Sequence, residues 1–464
     1  MERSITMFER WGYFLPHPPV AIPTIGVGEE KKMQATLDGL DQVGRQIAEI
    51  APETIIYITP HNIVYGDYFH ISPGDKAYGK LVAEEFKVEY DMDLVYQIAR
   101  CANEDGILAG DIGEENPDLD HGVMVPMWFI QQHYQDYKGV RISVSGTTPQ
   151  EHYAFGKSIG RAVKESAKKV VIIGSGDLSH KLLESGPYGY AMEGKIFDQT
   201  MVTALTYGDF LPLLFLSDSL REAAAECGFN SCMILAGYFD CKETETKVYS
   251  YEGPFGVGYM VASLYSKRED SQRDFLEKHR KIVIENATKA REKENVYLSL
   301  ARQSLEYAVK TGKKMELPKN LPSELMEHQA GVFVSIYKNT RLRGCVGTFV
   351  PTTENLALEI IQNAVSAGFA DNRFDEVTIG ELRELTYNVD VLSPPEPVES
   401  TSQLDPKKYG VIVRSGRKKG LLLPDLEGVD TVEDQVEIAK RKAGIRDNEK
   451  IELERFSVTR HGKE

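Results

Sequence analysis

His17, His61 and His180 each stand a few residues beyond a short apolar run: Tyr13-Phe14-Leu15, Ile55-Ile56-Tyr57-Ile58 and Val170-Val171-Ile172-Ile173. A neutral imidazole ligates divalent metals, and its unperturbed pKa of about 6.5 lets it act as acid or base near neutrality. Three of them at three strand ends therefore point to a metal site or an acid/base site. Two imidazoles and a carboxylate on one face of a metal leave the other face open, as in non-haem Fe(II) enzymes that admit a substrate and O2 together. In such a site His17, in FLPHPP, and His61, in ITPHN, supply the imidazoles. Pro16, Pro18 and Pro60 restrict the backbone beside them.

The apolar runs read as strands. In an open α/β sheet the carboxyl ends of the strands border the crevice where ligands bind, so residues distant in sequence converge there. Met33, Leu37, Leu40, Val43, Ile47 and Ile50 recur at helical spacing before the strand ending at Thr59. Residues 140–144 read as a strand, 151–168 as a helix and 170–173 as the next strand. This alternation predicts an α/β N-terminal domain over 1–268, with a mixed, largely parallel sheet and flanking helices. Residues 269–292 are expected to form a charged linker or a surface helix. Alternating runs at 332–337, 345–349, 386–392, 411–413 and 420–423, with helices near 354–367 and 432–443, predict an α+β domain over 293–464.

A formal net charge of −16 excludes nucleic acid and anionic membranes as main partners, because both would repel the chain. The basic stretch 414–419 reads as a solvated hairpin tip. Five cysteines without a C-x-x-C pair exclude a zinc ribbon and a thioredoxin-type motif. Their odd number fits a reducing compartment. No apolar run approaches the ~18 residues of a membrane span and the first residues lack a signal-peptide core, so the expected location is cytoplasmic. His70, His133 and His152 read as structural or exposed, Asp177 as a cap of the turn before His180, and Gly174 and Gly176 as allowing tight strand-to-loop geometry.

Four segments in order, LPHPP, TPHN, LDHG at 119–122 and GSGDLSH at 174–180, resemble the class III (LigB-type) extradiol ring-cleavage dioxygenases and their structural relatives, the Memo family. The resemblance implies a ferrous iron held by His17 and His61. It implies His180 as general base on the substrate hydroxyl and then as acid, with His121 beside the substrate oxygen. The implied activity is that of an oxidoreductase cleaving a catechol- or aminophenol-type substrate with O2. In the dioxygenases a glutamate late in the domain completes the ligand set, which implies Glu226 in AAAECGFNSCMILAG. In the Memo family a Cys-Gly occupies that place, which makes Cys227 the rival. A carboxylate favours Fe(II), whereas a thiolate favours zinc or copper(I). The alternative function is a Memo-like metal-binding module that cleaves no ring.

The LRGCVG segment at 342–347, with SIYKNTRLRG, SAGFADNRF and YNVDVLSPP, resembles the AMMECR domain. Arg343 and Cys345 form a possible second site, in which a small-residue turn exposes a thiol between a basic side chain and backbone amides and lowers its pKa. The other reading makes Cys345 a core residue of a strand. Association of such domains with Memo-like and radical S-adenosylmethionine proteins implies a partner of the latter kind, because this chain has no three-cysteine iron–sulfur motif. A homo-oligomer is the remaining expectation.

Overall fold

The computed structural model describes residues 9–426, 428–446 and 448–462, and these divide into two compact units, one ending at His279 and the other beginning at Arg280. The first unit is built on a six-stranded sheet of β1 (Arg10–Leu15), β2 (Thr54–Thr59), β3 (Lys138–Ser143), β4 (Val170–Ser175), β5 (Lys242–Glu252) and β6 (Tyr259–Glu269), in the order β3-β2-β4-β1-β6-β5. β3, β2, β4 and β1 are mutually parallel, while β6 runs antiparallel to both β1 and β5. The predicted α/β class, with a mixed and largely parallel sheet, is what the chain adopts.

Every residue of β2 and β4 is buried, as expected of parallel strands covered on both faces. Phe14, Ile56, Ile58 and Ile172 enter one core, and Tyr13, Leu15, Ile55, Tyr57, Val171 and Ile173 the other, because successive side chains of a strand point to opposite faces. Helix α1 (Gln34–Ile50) supplies Leu40, Val43 and Ile47 to the second core, on the face its spacing predicts. Helix α2 (His121–Gln131) is apolar nearly all round and buried, and α3 (Pro149–Ser166) opens on a capping box made by Thr148 and Glu151. Helix α4 (Phe229–Tyr238) is buried along almost its whole length, which matches its run of small and apolar residues. β1, β4 and β2 are neighbours, so the segments leaving their carboxyl ends, with His17, Asp177 and His180, and His61, face one crevice.

The long hairpin β5–β6 was not read from the sequence. KETETKVYSYE alternates, but its solvent-facing charges mask the pattern. The charged stretch that follows contains the helix α5 (Phe275–Arg291).

The second unit has two four-stranded sheets. β7 (Val332–Lys338), β8 (Arg341–Gly347), β9 (Leu385–Leu392) and β14 (Val458–His461) form one, ordered β8-β7-β9-β14. The other comprises β10 (Glu396–Val398), β11 (Gly410–Ser415), β12 (Lys418–Leu422) and β13 (Glu452–Phe456), ordered β10-β13-β11-β12. All pairings are antiparallel, and helices α6 (Val296–Thr311), α7 (Leu356–Phe369) and α8 (Val432–Ala443) complete the α+β domain.

Candidate metal centre

His17 Nε2 and His61 Nε2 lie 3.0 Å apart, and Cys227 Sγ is 3.5 Å from His17 Nε2. The three donor atoms all fall within 4.8 Å of one another, close enough for one metal ion to touch all three. The chemistry of the donors fits an ion. Ser175 donates its hydroxyl proton to the Gly122 carbonyl, so its oxygen accepts from His17 Nδ1 at 2.9 Å. That bond fixes the proton on Nδ1 and turns the Nε2 lone pair toward the group. Asp177 Oδ1 accepts the His17 backbone N–H at 2.9 Å, so this carboxyl holds the segment after β1 and is no cap of the following turn. Burial pushes it up to about 7.

His121 opens α2, with its ring 4.2 Å from that of His61 in a stacked arrangement and 5.1 Å from that of His17 edge-on. His180 lies near enough to bear electrostatically on both His17 and His61, and its ring is 5.0 Å from that of Tyr188. Burial lowers the pKa of all four histidines, that of His61 to about 4, with the neighbouring imidazoles adding to the effect at His17 and His61. The cluster is therefore neutral at pH 7, the state in which imidazole binds metal.

Glu226 is not brought into this group. Its Oε1 pairs with Arg221 Nε at 3.1 Å and its Oε2 accepts the Phe229 N–H at 2.7 Å, so the carboxylate anchors the first turn of α4. Its neighbour Cys227 takes the place beside His17, accepting the Asp177 N–H at 3.3 Å. Burial drives the Cys227 thiol well above its ordinary pKa. Among the described residues a second set of donors, Asp240, Cys241 and Asp274, already encloses a cation: Lys157 Nζ lies 2.8 Å from Asp240 and 3.5 Å from Asp274. His152 accepts the Ser145 N–H and bonds the Thr148 carbonyl, and His133 bonds Asp41 at 2.7 Å, both structural roles.

Asp120 and Arg141 were missed. Arg141, 1% exposed, sits on the central parallel sheet beside the histidine segments. An arginine inside the apolar strand KGVRIS was the available signal, since an arginine is almost never fully buried without partners.

In the second unit Cys345 accepts the Ser335 hydroxyl at 3.2 Å, and burial pushes its thiol up, opposite to the lowering expected from the sequence. The β7–β8 pairing shifts register at Arg343, which falls between Leu342 and Gly344, the residues paired with Tyr337 and Ile336. Arg343 instead grips Glu381 at 2.9 Å and the Asp375 carbonyl, while Arg373, bound to Asp371, reaches the Cys345 carbonyl. The loop after LRGCVG is tied to Glu359, 1% exposed, whose carboxylate accepts from the hydroxyls of Thr348, Thr352 and Thr353 and from two backbone amides. Burial alone would raise its pKa, but these bonds outweigh it and hold the carboxyl below its ordinary value. The stabilisation is therefore complete above the unfolded-state pKa of about 4.3 and is lost as pH falls through the lower folded value. Glu359→Gln is expected to cost about 2 kcal/mol at pH 7 and progressively less below pH 4. Both tryptophans, Trp11 and Trp128, lie in the first unit, so a urea transition seen by circular dichroism but not by tryptophan fluorescence isolates the effect.

The family model for the catalytic LigB subunit of aromatic ring-opening dioxygenase matches residues 11–262, and that for AMMECR1 matches 298–461. The chain belongs to the LigB family, with an AMMECR1 domain following in the same polypeptide. It is similar to Protein CA_C1420 of Clostridium acetobutylicum, 41% identical over 463 residues that cover 97% of this chain and 98% of that one. A Thermotoga maritima protein is 51% identical over 170 residues, covering 36% of this chain and 98% of its own length. The crystal structure of the uncharacterized protein PH0010 from Pyrococcus horikoshii is similar at 32% identity and a TM-score of 0.33, covering 35% of this chain and 88% of that one. No helix among the described residues is long and apolar enough to cross a membrane.

Proposed function

We propose that the N-terminal domain is a metal-dependent module in which His17, His61 and Cys227 hold one soft ion, zinc or copper(I), and His121 and His180 line the approach to it. The observation that carries this reading is the thiol 3.5 Å from His17 Nε2, with Glu226 engaged elsewhere by Arg221 and Phe229. Two imidazoles and a thiolate form a softer donor set than two imidazoles and a carboxylate. When bound, the ion supplies Lewis acidity or one-electron chemistry to a small molecule in the crevice. Ser175 and Asp177 hold His17 in the binding orientation, and His121 and His180, both neutral, take a proton from that molecule or return it.

A second reading is ring opening of a catechol- or aminophenol-type substrate with O2 on Fe(II). It is favoured by those same two imidazoles, since a substrate hydroxyl must lose a proton as it binds. Anaerobic reconstitution with zinc, copper(I) and Fe(II) in turn, followed by metal analysis and nitric oxide titration of the iron form with catechols, separates the two. One equivalent of zinc or copper(I) and no catechol-dependent nitrosyl signal is the expected result. A ferrous nitrosyl spectrum perturbed by catechol overturns the first reading in favour of the second.

Metal uptake at pH 7 is expected to release about one proton. Burial keeps the Cys227 thiol protonated before binding, whereas the imidazoles are already neutral. The apparent affinity therefore rises about tenfold per pH unit up to the thiol's folded pKa. Calorimetry in buffers of different ionisation enthalpy counts the protons, and a value near zero removes the thiol from the ligand set.

A further inference from the structure

Arg141 is a buried cation that bonds only neutral acceptors. Its Nε donates to Ser72 Oγ at 2.7 Å, and its Nη1 and Nη2 donate to the carbonyls of Asp118 and Asn116. These bonds clamp the segment that leads into His121. The charge is answered by Asp120, whose Oδ2 stands 4.0 Å from Nη1. Asp120 Oδ1 accepts the Thr59 hydroxyl at 2.6 Å, and Thr59 Oγ1 accepts the His61 backbone N–H at 3.2 Å. One carboxylate thus joins the residue before His121 to the residue two before His61, although the two histidines arrive on different elements. The fit is close: a Cβ on Gly122 would come within 2.5 Å of Thr59 Oγ1 and 2.8 Å of Asp120 Oδ1. Asp120 Oδ2 is buried and has no hydrogen-bond partner. A buried acceptor without a hydrogen bond is costly, so the charge of Arg141 and the geometry it imposes are what compensate it there.

We propose that Asp120, held by Arg141, is a positioning residue of the metal centre that locks His61 and His121 into one rigid pair. The proposal rests on the reading of His17, His61 and Cys227 as metal ligands. It differs from a general stabilising role because it acts on two named imidazoles: His133 and His152 hang on other partners. Groups that orient metal ligands typically contribute 10–100-fold to affinity.

Titration of the full chain with Co(II), followed by its d–d and thiolate charge-transfer bands, is the test. Asp120→Ala is expected to weaken binding about 10–100-fold and to shift the d–d bands. Thr59→Val, which cuts the link to His61 while leaving Asp120 beside Arg141, is expected to do the same. Asp120→Asn, whose carbonyl still accepts from Thr59 but which no longer answers the charge of Arg141, is expected to recover only part of the affinity. In the metal-free protein, Asp120→Ala is further expected to move the imidazole Cε1–H resonances of His61 and His121 and to leave those of His133 and His152 in place. Wild-type Co(II) affinity and unmoved His61 and His121 resonances in Asp120→Ala overturn the proposal. Failure of the wild-type protein to bind Co(II), with the resonances nonetheless displaced, overturns the ligand reading and leaves the positioning role standing.

Discussion

Cys227→Ser is expected to lower the affinity of the N-terminal domain for zinc about 100-fold or more, and Glu226→Gln to leave it within about threefold. The difference follows from which side chain faces the imidazoles. Cys227 Sγ is within 3.5 Å of His17 Nε2, and a metal cation ionises a thiol even where burial raises its pKa. A serine hydroxyl in the same place ionises far less readily, so the charge-bearing ligand is lost. A 100-fold change is about 2.8 kcal/mol, since each tenfold step is about 1.4 kcal/mol. Glu226→Gln acts on the fold. It leaves Arg221, stacked over Phe229 at 4.2 Å, with Asp218 as its remaining anionic partner at 3.5 Å and weakens the cap at the start of α4, which together cost about 2 kcal/mol. Competition with a chromophoric chelator reads the affinity, and urea denaturation followed by tryptophan fluorescence reads the stability. The opposite pattern, with Glu226→Gln emptying the site and Cys227→Ser filling it normally, would return the centre to the two-histidine, one-carboxylate type and to ferrous iron.

The adjacency of Glu226 and Cys227 shows where the sequence stops being legible. His17 and His61 could be placed because each directly follows a recognisable parallel strand, and the crevice at the strand ends is a property of the topology. Two consecutive residues in a loop before a helix point in different directions, and which one faces the crevice depends on where the loop is pinned. Here Arg221, four residues before Ala225, which has a positive φ, takes Glu226, while the bonds from Asp177 N–H to Cys227 Sγ and from Gly228 N–H to the Asp177 carbonyl set Cys227 beside His17. These contacts have no periodic signature. Arg343 illustrates the same limit: alternation along a strand puts it on the face of Cys345, but its side chain is taken up by Glu381, a contact across 38 residues that no local pattern signals. Helices such as α1 and α8 were readable because their apolar spacing is set by local geometry alone, and the hairpin β5–β6 was not because charge on its exposed face outweighs the alternation beneath.

Gly176→Ala is expected to destabilise the first unit by about 3 kcal/mol and to weaken metal binding at least about tenfold, while Gly174→Ala, two residues earlier in the same GSGDLSH segment, costs about 1 kcal/mol and leaves binding unchanged. A Cβ at position 176 would stand 2.1 Å from the Cα of Gly228 and 3.0 Å from its nitrogen. Both are backbone atoms, so no side chain can rotate away and the chain itself must part. The segment it would push belongs to the residue after Cys227, whose position is further tied to this strand end by the bond from Gly228 N–H to the Asp177 carbonyl at 2.9 Å and by that from Asp177 N–H to Cys227 Sγ. A displacement of about an ångström there carries the thiol away from His17, and a ligand misplaced by that much no longer completes the donor group. At position 174 the nearest atoms are the Ser231 carbonyl at 3.2 Å and Leu235 side-chain atoms at 3.4 Å, which yield by a few tenths of an ångström. The tight strand-to-loop geometry expected of both glycines from the sequence thus resolves into two different demands, and only the one at 176 touches the chemistry. Chelator competition and urea titration of the two variants side by side measure both quantities. Equal losses of affinity in the two would mean that the approach of the Gly228 backbone to β4 does not set the position of the thiol.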